Sequence, residues 1–223
     1  MTTAIILAAG KSTRMGGNVD KVFLSLGNRP VLAWSLVAFE RSPAIDRIVL
    51  VVRKEQVVAS KAVAKMFGIS KLHAVVPGGA RRQASVAAGL AACDTDTRYV
   101  VVHDAARPCV TSALVTEIAE AARRSPAVAV GRPVTDTVKR CEKNLVVAET
   151  VPRDRLWTVQ TPQAFQVKVL RGALNALGPK DEVTDDCQAV EMSGGQVKIV
   201  ESHAPNVKIT TPEDLQIASA LLK

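Results

Sequence analysis

Ala4-Ile5-Ile6-Leu7-Ala8-Ala9-Gly10-Lys11-Ser12-Thr13-Arg14-Met15-Gly16-Gly17, with Lys21 following, is the stretch on which the fold turns. An unbroken apolar run stops at two alanines and a glycine. A polar loop carrying an arginine, two more glycines and a lysine comes next. Buried strands that end in bare backbone are how α/β proteins hold phosphates: glycine lets N–H groups approach the anion, and cations neutralise it. Two better-known phosphate motifs do not fit. The pattern G-x-x-x-x-G-K-[ST] needs a glycine where Ile5 stands, and G-x-G-x-x-G fails at Ala8 and Thr13. The opening is a phosphate loop of another kind, or none.

Working outward, Ile48-Val49-Leu50-Val51-Val52 and Tyr99-Val100-Val101-Val102 show no polar alternation, as expected of strands covered on both faces. Strands are predicted at 3–8, 47–52, 72–76, 98–103, 127–131 and 196–201, with a short one at 207–210. Between them lie helices: one opened by Pro30, others near 55–67, 82–92, 112–124, 167–177 and 184–193, and a last one starting at Thr211-Pro212-Glu213-Asp214. This alternation predicts an α/β fold with a doubly wound, mostly parallel sheet and right-handed crossovers. Residues 136–151 break the rhythm. Val138-Lys139-Arg140-Cys141 and Leu145-Val146-Val147-Ala148 flank Glu142-Lys143-Asn144 and read as an inserted β-hairpin, which needs something to lie on because a lone hairpin is marginal in water.

The 223 residues, 48% hydrophobic, suit one large domain. Only 3% are aromatic, so Val, Ile, Leu and Ala must build the core. A net charge of +8 serves solubility or points to a polyanionic partner, either nucleic acid or a small phosphorylated compound. Nucleic acid is disfavoured, because the cations are scattered and few aromatics are available for stacking. Cys93, Cys109, Cys141 and Cys187 are far apart and suggest neither a disulfide framework nor a zinc site. No apolar run approaches the roughly 18 residues of a membrane span, and no leader pattern precedes the first strand. A cytoplasmic protein is expected.

Ligands of open α/β sheets bind beyond the carboxyl ends of the strands. Polar clusters follow several predicted strands: Gly10, Arg14 and Lys21; Pro77-Gly78-Gly79 with Arg81, Arg82 and Ser85; His103-Asp104-Ala105-Ala106-Arg107-Pro108; and Arg132-Pro133-Val134-Thr135-Asp136-Thr137. Taken singly, Arg14 and Lys21 are solvated loop cations; together on one edge they can meet a phosphoryl group. Asp104 is either a turn aspartate or a ligand for Mg²⁺, which often takes one or two carboxylates plus phosphate oxygens. His103 reads as structural. Gly78-Gly79 either ends a strand or lets main-chain groups reach a base edge. Cations, glycines and one candidate metal carboxylate, without a nucleophile–base set, favour phosphoryl or nucleotidyl transfer by positioning and charge neutralisation.

At this point the chain resembles the 2-C-methyl-D-erythritol 4-phosphate cytidylyltransferase family. The resemblance runs through Leu7-Ala8-Ala9-Gly10, Arg14-Met15, Lys21, Gly78-Gly79, Arg82, Ser85 and His103–Pro108. It continues through Pro133-Val134-Thr135-Asp136-Thr137, Arg153, Leu156-Trp157, Thr161-Pro162-Gln163, Thr184-Asp185 and Asn206-Val207-Lys208-Ile209-Thr210. It implies a single Rossmann-like nucleotidyltransferase domain over 1–223, a protruding β-arm at 136–153 used in a homodimer, and CTP with a divalent metal, usually Mg²⁺. CMP would be joined to methylerythritol phosphate, early in non-mevalonate isoprenoid synthesis. Carried over position by position, Arg14 and Lys21 would stabilise charge on the α-phosphate. Ala8, Ala9, Gly10, Gly79, Ser85 and Ala105 would hold the nucleotide. Asp104, Arg107, Thr137, Arg153, Thr161, Thr184 and Lys208 would meet the acceptor, with Asp104 also on the metal. Ala80 departs from the acidic residue some members have there, and Val19-Asp20-Lys21-Val22 departs from the common Pro-Lys-Gln.

Overall fold

A computed structural model describes residues 1–10, 15 and 20–222. Arg14, expected at the site, lies outside the described residues. In chain order the elements are β1 (Thr2–Ala8), β2 (Ser25–Leu26), β3 (Arg29–Pro30), α1 (Val31–Arg41), β4 (Arg47–Val52), α2 (Val57–Met66), β5 (Leu72–Pro77), α3 (Arg82–Ala91) and β6 (Tyr99–Asp104). There follow α4 (Ser112–Arg124), β7 (Ala127–Pro133), β8 (Val138–Cys141), β9 (Val147–Val151), β10 (Trp157–Gln166), α5 (Val167–Ala176), α6 (Asp186–Met192), β11 (Lys198–Glu201) and α7 (Pro212–Leu221).

Seven strands form one sheet in the order β11-β7-β10-β6-β1-β4-β5. β1 lies between β4 and β6, parallel to both, and β10 runs antiparallel between β6 and β7. The fold is therefore the expected α/β architecture with a mostly parallel sheet. Side chains alternate across a strand, so Ile5 and Ile6, both fully buried, feed different cores. Ile6 packs in the cluster that includes Leu36, Phe39 and Ile118, and Ile5 in the one that includes Val86, Phe165 and Leu170.

The helices stand close to where the pattern puts them. α4 is capped by Thr111, whose side chain accepts from the Leu114 N–H at 3.2 Å, and it buries Leu114, Val115, Ile118 and Ala122. Pro30 serves as the N-cap of α1, one residue outside the helix. α7 begins with a Thr211–Asp214 capping box and Pro212 in its first turn.

Two expectations need correction. Residues 207–210 form no strand; they run as an irregular strap in which the Ile209 N–H donates to the Ala106 carbonyl at 2.7 Å. β10 was not expected, and Pro162 in its middle disguises it, since a proline removes a ladder donor. The pairing with β7 shifts between Gln160 and Gln163, so the proline sits where the ladder is already irregular.

The β8–β9 hairpin is a separate two-stranded sheet. It stands away from the core, with Leu145 84%, Val146 58% and Val147 53% exposed. No described helix is long and apolar enough to cross a membrane.

Candidate active site

The carboxyl ends of β1, β4, β5 and β6 open onto one cleft of about 720 Å³. Ala8, Ala9, Gly10, Lys21, Gly79, Ser85, Asp104 and Lys208 all line it, so eight of the expected positions, drawn from five separate stretches of chain, converge there.

Ser85 shapes the wall after β5. It is buried, and its hydroxyl accepts from the Gly79 N–H at 3.1 Å. The packing leaves no room for side chains on the glycine pair: a Cβ on Gly78 would come within 2.6 Å of the Ala9 Cβ, and one on Gly79 within 2.5 Å of the Ala84 Cβ. At Gly10 a Cβ would meet nothing within 4 Å among the described residues, and a bare backbone there leaves room for a ligand to approach.

Lys21 opens a short 3-10 turn (Lys21–Phe23) whose cap is Asp20. The Asp20 carboxylate accepts from the Val22 N–H at 3.3 Å, from Arg53 Nη2 at 2.8 Å and from Gln56 Nε2. This ties the lysine turn to the end of β4. Lys21 Nζ donates to the Ile209 carbonyl at 2.8 Å, joining the turn to the 206–210 strap.

Asp104 ends β6. Lys208 Nζ lies 2.6 Å from its Oδ2, and Arg82 Nη2 lies 3.5 Å from its Oδ1. Burial alone would raise the Asp104 carboxyl, but Arg82 and Lys208 hold it well below the usual carboxylate range, so it is ionised.

Behind Asp104 a buried network sets its direction. The Asp104 N–H donates to Thr161 Oγ1 at 3.0 Å, and that hydroxyl lies 3.3 Å from His103 Nδ1. His103 Nε2 lies 3.3 Å from the Arg107 carbonyl. A carbonyl only accepts, so Nε2 carries the proton and Nδ1 takes the threonine hydrogen. Burial pushes His103 down to about 3, which keeps the ring neutral, as its structural reading requires. Asn206 Nδ2 donates to the Thr161 carbonyl at 2.7 Å, while Arg107 Nη1 donates to the Asn206 carbonyl at 2.8 Å. Thr161→Val leaves the buried Asp104 N–H without its acceptor. It is expected to cost about 1–3 kcal/mol, read as a lower denaturation midpoint, and to reduce turnover through a displaced Asp104. Unchanged stability and rate would show that the network is idle.

Several expected residues do not reach the cleft. Thr161 and Arg107 are committed to the network behind it. Ala105 is fully buried, its N–H donating to the Leu7 carbonyl at 2.9 Å, and Ala106 lines the cleft instead. Thr184 is exposed before α6, its hydroxyl donating to Gln188 Oε1 at 3.0 Å. Thr137 and Arg153 are exposed around the arm, with the Arg153 guanidinium donating to the Thr135 carbonyl. Conversely, Arg53 and Lys54 line the cleft without having been expected. Their signal was available: they follow the apolar run 48–52 directly, at a strand end like the others. Asp20 and Asp186, which hold cleft residues from behind, carry no local motif, while Asn206 lies in the stretch Asn206–Thr210 through which the resemblance runs but was given no role.

A cation-rich cleft along the carboxyl edge of a mostly parallel sheet, with one ionised carboxylate facing several cations, belongs to the α/β nucleotidyltransferases. The comparisons narrow the class. The profile of the 2-C-methyl-D-erythritol 4-phosphate cytidylyltransferase (IspD) family matches residues 2–223, and the chain belongs to that family. The 2-C-methyl-D-erythritol 4-phosphate cytidylyltransferase of Desulforamulus reducens is 44% identical over 99% of this chain and 95% of its own length. That of Alkaliphilus oremlandii is 41% identical over 100% of this chain and 95% of its own. The crystal structure of 4-diphosphocytidyl-2C-methyl-D-erythritol synthase from Anaerococcus prevotii superposes with a TM-score of 0.87 at 32% identity, covering 99% of this chain and 97% of that one.

Proposed function

We propose that this chain transfers CMP from CTP to the phosphate of 2-C-methyl-D-erythritol 4-phosphate, giving 4-diphosphocytidyl-2-C-methyl-D-erythritol and pyrophosphate in non-mevalonate isoprenoid synthesis. Beyond family membership, the observation that carries this reading is the strap at 206–210. It binds Lys21 through the Ile209 carbonyl and Asp104 through Lys208, so cation and carboxylate face one cleft at a set separation.

In this reading the glycine loop and the Ala8–Gly10 backbone hold the nucleotide, with Gly79 and Ser85 at the base. An oxygen of the acceptor phosphate attacks the α-phosphorus in line. The bond to the bridging oxygen of the β-phosphate breaks, and pyrophosphate carries away the electron pair. Lys21, with Arg14 beside it in sequence, neutralises charge as it builds on the α-phosphate. Lys208 holds Asp104 and offers its remaining protons to the acceptor phosphate.

The donor set fits a divalent metal of the Mg²⁺ type. No group of three or more metal-binding side chains exists among the described residues, so a full protein cage is absent there. The Asp104 carboxylate, whose Oδ1 accepts a long bond from Arg82 Nη2 at 3.5 Å, suits the single carboxylate of a metal that brings phosphate oxygens and water with it. When bound, such a metal would neutralise the triphosphate and polarise its α-phosphoryl group.

The domain acts as a homodimer in this reading, with the 136–153 arm crossing to the second copy. Support comes from the exposed Leu145, Val146 and Val147 on a hairpin with no core of its own. Arg153 and Thr137 then serve the neighbouring site, which accounts for their distance from this cleft. Deleting 138–149 is expected to give a monomer on sizing; an unaltered dimer would contradict the arm's role. The four cysteines are all unpaired, which supports a reducing cytoplasmic setting.

Incubation with CTP, Mg²⁺ and each candidate acceptor tests the function. Pyrophosphate release and a CDP-alcohol are expected with methylerythritol phosphate. Product from ribitol 5-phosphate alone would reassign the acceptor, and tight CTP binding without turnover would make the chain a nucleotide-binding module.

A further inference from the structure

We propose that Asp186 is a positioning residue of this site: it draws Arg82 toward itself and so keeps the Arg82 hold on the outer oxygen of the Asp104 carboxylate long and weak. The inference rests on the reading of the cleft as the site of cytidylyl transfer.

Arg82 heads α3 and faces two carboxylates. Its Nη1 lies 2.9 Å from Asp186 Oδ2, and its Nη2 lies 3.5 Å from Asp104 Oδ1. Charged N–H···O contacts close at about 2.7–2.9 Å, so the ion pair with Asp186 is close, while the hydrogen bond that Nη2 donates to Asp104 is stretched. A guanidinium offered a single carboxylate settles on it as a two-pronged fork. Asp104 Oδ2 already has Lys208 Nζ at 2.6 Å. An Arg82 released from Asp186 would therefore close onto Oδ1, and both oxygens of Asp104 would be held tightly by a cation. A ligand would then have to displace one of them.

The position of Asp186 argues that its charge is not there for stability. It is the first residue of α6 and fully buried, with Cys187, Ala189 and Val190 buried beside it. Neither of its oxygens meets a hydrogen-bond donor in bonding geometry among the described residues, so Arg82 is held to it by charge. Burial pushes its carboxyl up to about 6, even with Arg82 drawing it down. Replacing both partners of a buried ion pair by uncharged residues of similar volume is often neutral for stability. A charge held at such a place implies work on its neighbour, and that neighbour is Arg82.

Asp186→Asn, made alone and in an Arg82→Met background, tests this. The single variant is expected to keep or raise the thermal midpoint at pH 8 while kcat/KM falls at least about 10-fold. In the Arg82→Met background the same change is expected to cost less than about two-fold, since Asp186 acts only through Arg82. A crystal structure of Asp186→Asn is expected to show the Arg82 Nη2–Asp104 Oδ1 contact shortened from 3.5 Å to about 2.8 Å. Wild-type kinetics, an equal cost in both backgrounds, or loss of the cooperative thermal transition would each overturn the inference. If the unaltered chain binds CTP in calorimetry yet forms no CDP-alcohol, the functional reading fails; the Arg82–Asp104 distance in the variant crystal still decides the role of Asp186.

Discussion

Lys21→Ala is expected to lower kcat by at least about 10² while moving the thermal midpoint by only a few degrees. The reasoning starts from where the cation sits. Lys21 lines the cleft from a short turn that Asp20 caps and cross-links to Arg53. Its Nζ donates to a carbonyl of the strap that also carries Lys208. A unit charge about 4 Å away is worth roughly 1 kcal/mol in bulk water and about 4 at an effective dielectric of 20. A cleft that closes around a triphosphate moves the interaction toward the larger figure. Removing one positioned donor then costs about 2.7–4 kcal/mol at the transition state. The fold loses less, because a hydrogen bond from a charged group, such as that from Lys21 to the Ile209 carbonyl, contributes about 1.5–3 kcal/mol net. Near-normal kcat in a well-folded Lys21→Ala variant would defeat the assignment.

Asp104→Asn is expected to reduce kcat/KM by at least about 10² and to shift the Mg²⁺ concentration needed for half-maximal rate upward. The amide keeps the shape and still satisfies Lys208 in part, so the change isolates the charge. An unchanged Mg²⁺ titration would count against Asp104 as the metal's protein ligand. The sign of its effect on stability also follows. The folded-state carboxyl lies below its ordinary value of 3.8, despite burial, because of Arg82 and Lys208. Its contribution to stability is therefore fully present at neutral pH and is lost as pH falls below that ordinary value. Wild type and Asp104→Asn should differ in denaturation midpoint near pH 7 and converge in acid.

The central strands were legible because their chemistry is local. β4 forms at 47–52 and α4 at 112–124, as the hydrophobic pattern requires. Asp104 and Lys21 could be singled out because strand ends in this architecture face a common edge. Arg53 and Lys54 obey the same rule. β10 was hidden by Pro162, tolerated where the ladder is irregular. The strap at 207–210 has the apolar content of a strand, yet its carbonyls and N–H groups are spent on Ala106 and Lys21 rather than on a ladder.

Hydrophobic period, turn chemistry and the glycine loop were enough to determine an α/β sheet with a cation-lined carboxyl edge, since each depends on neighbours in the chain. Which side chains share a charge was decided only by the tertiary structure. Asp186, Arg82, Asp104 and Lys208 come from four separate elements, and Thr161 reaches Asp104 across 57 residues. Electrostatic coupling falls with distance in space, and separation along the chain does not enter it. A residue whose task is to aim another therefore leaves no mark in its own stretch of sequence.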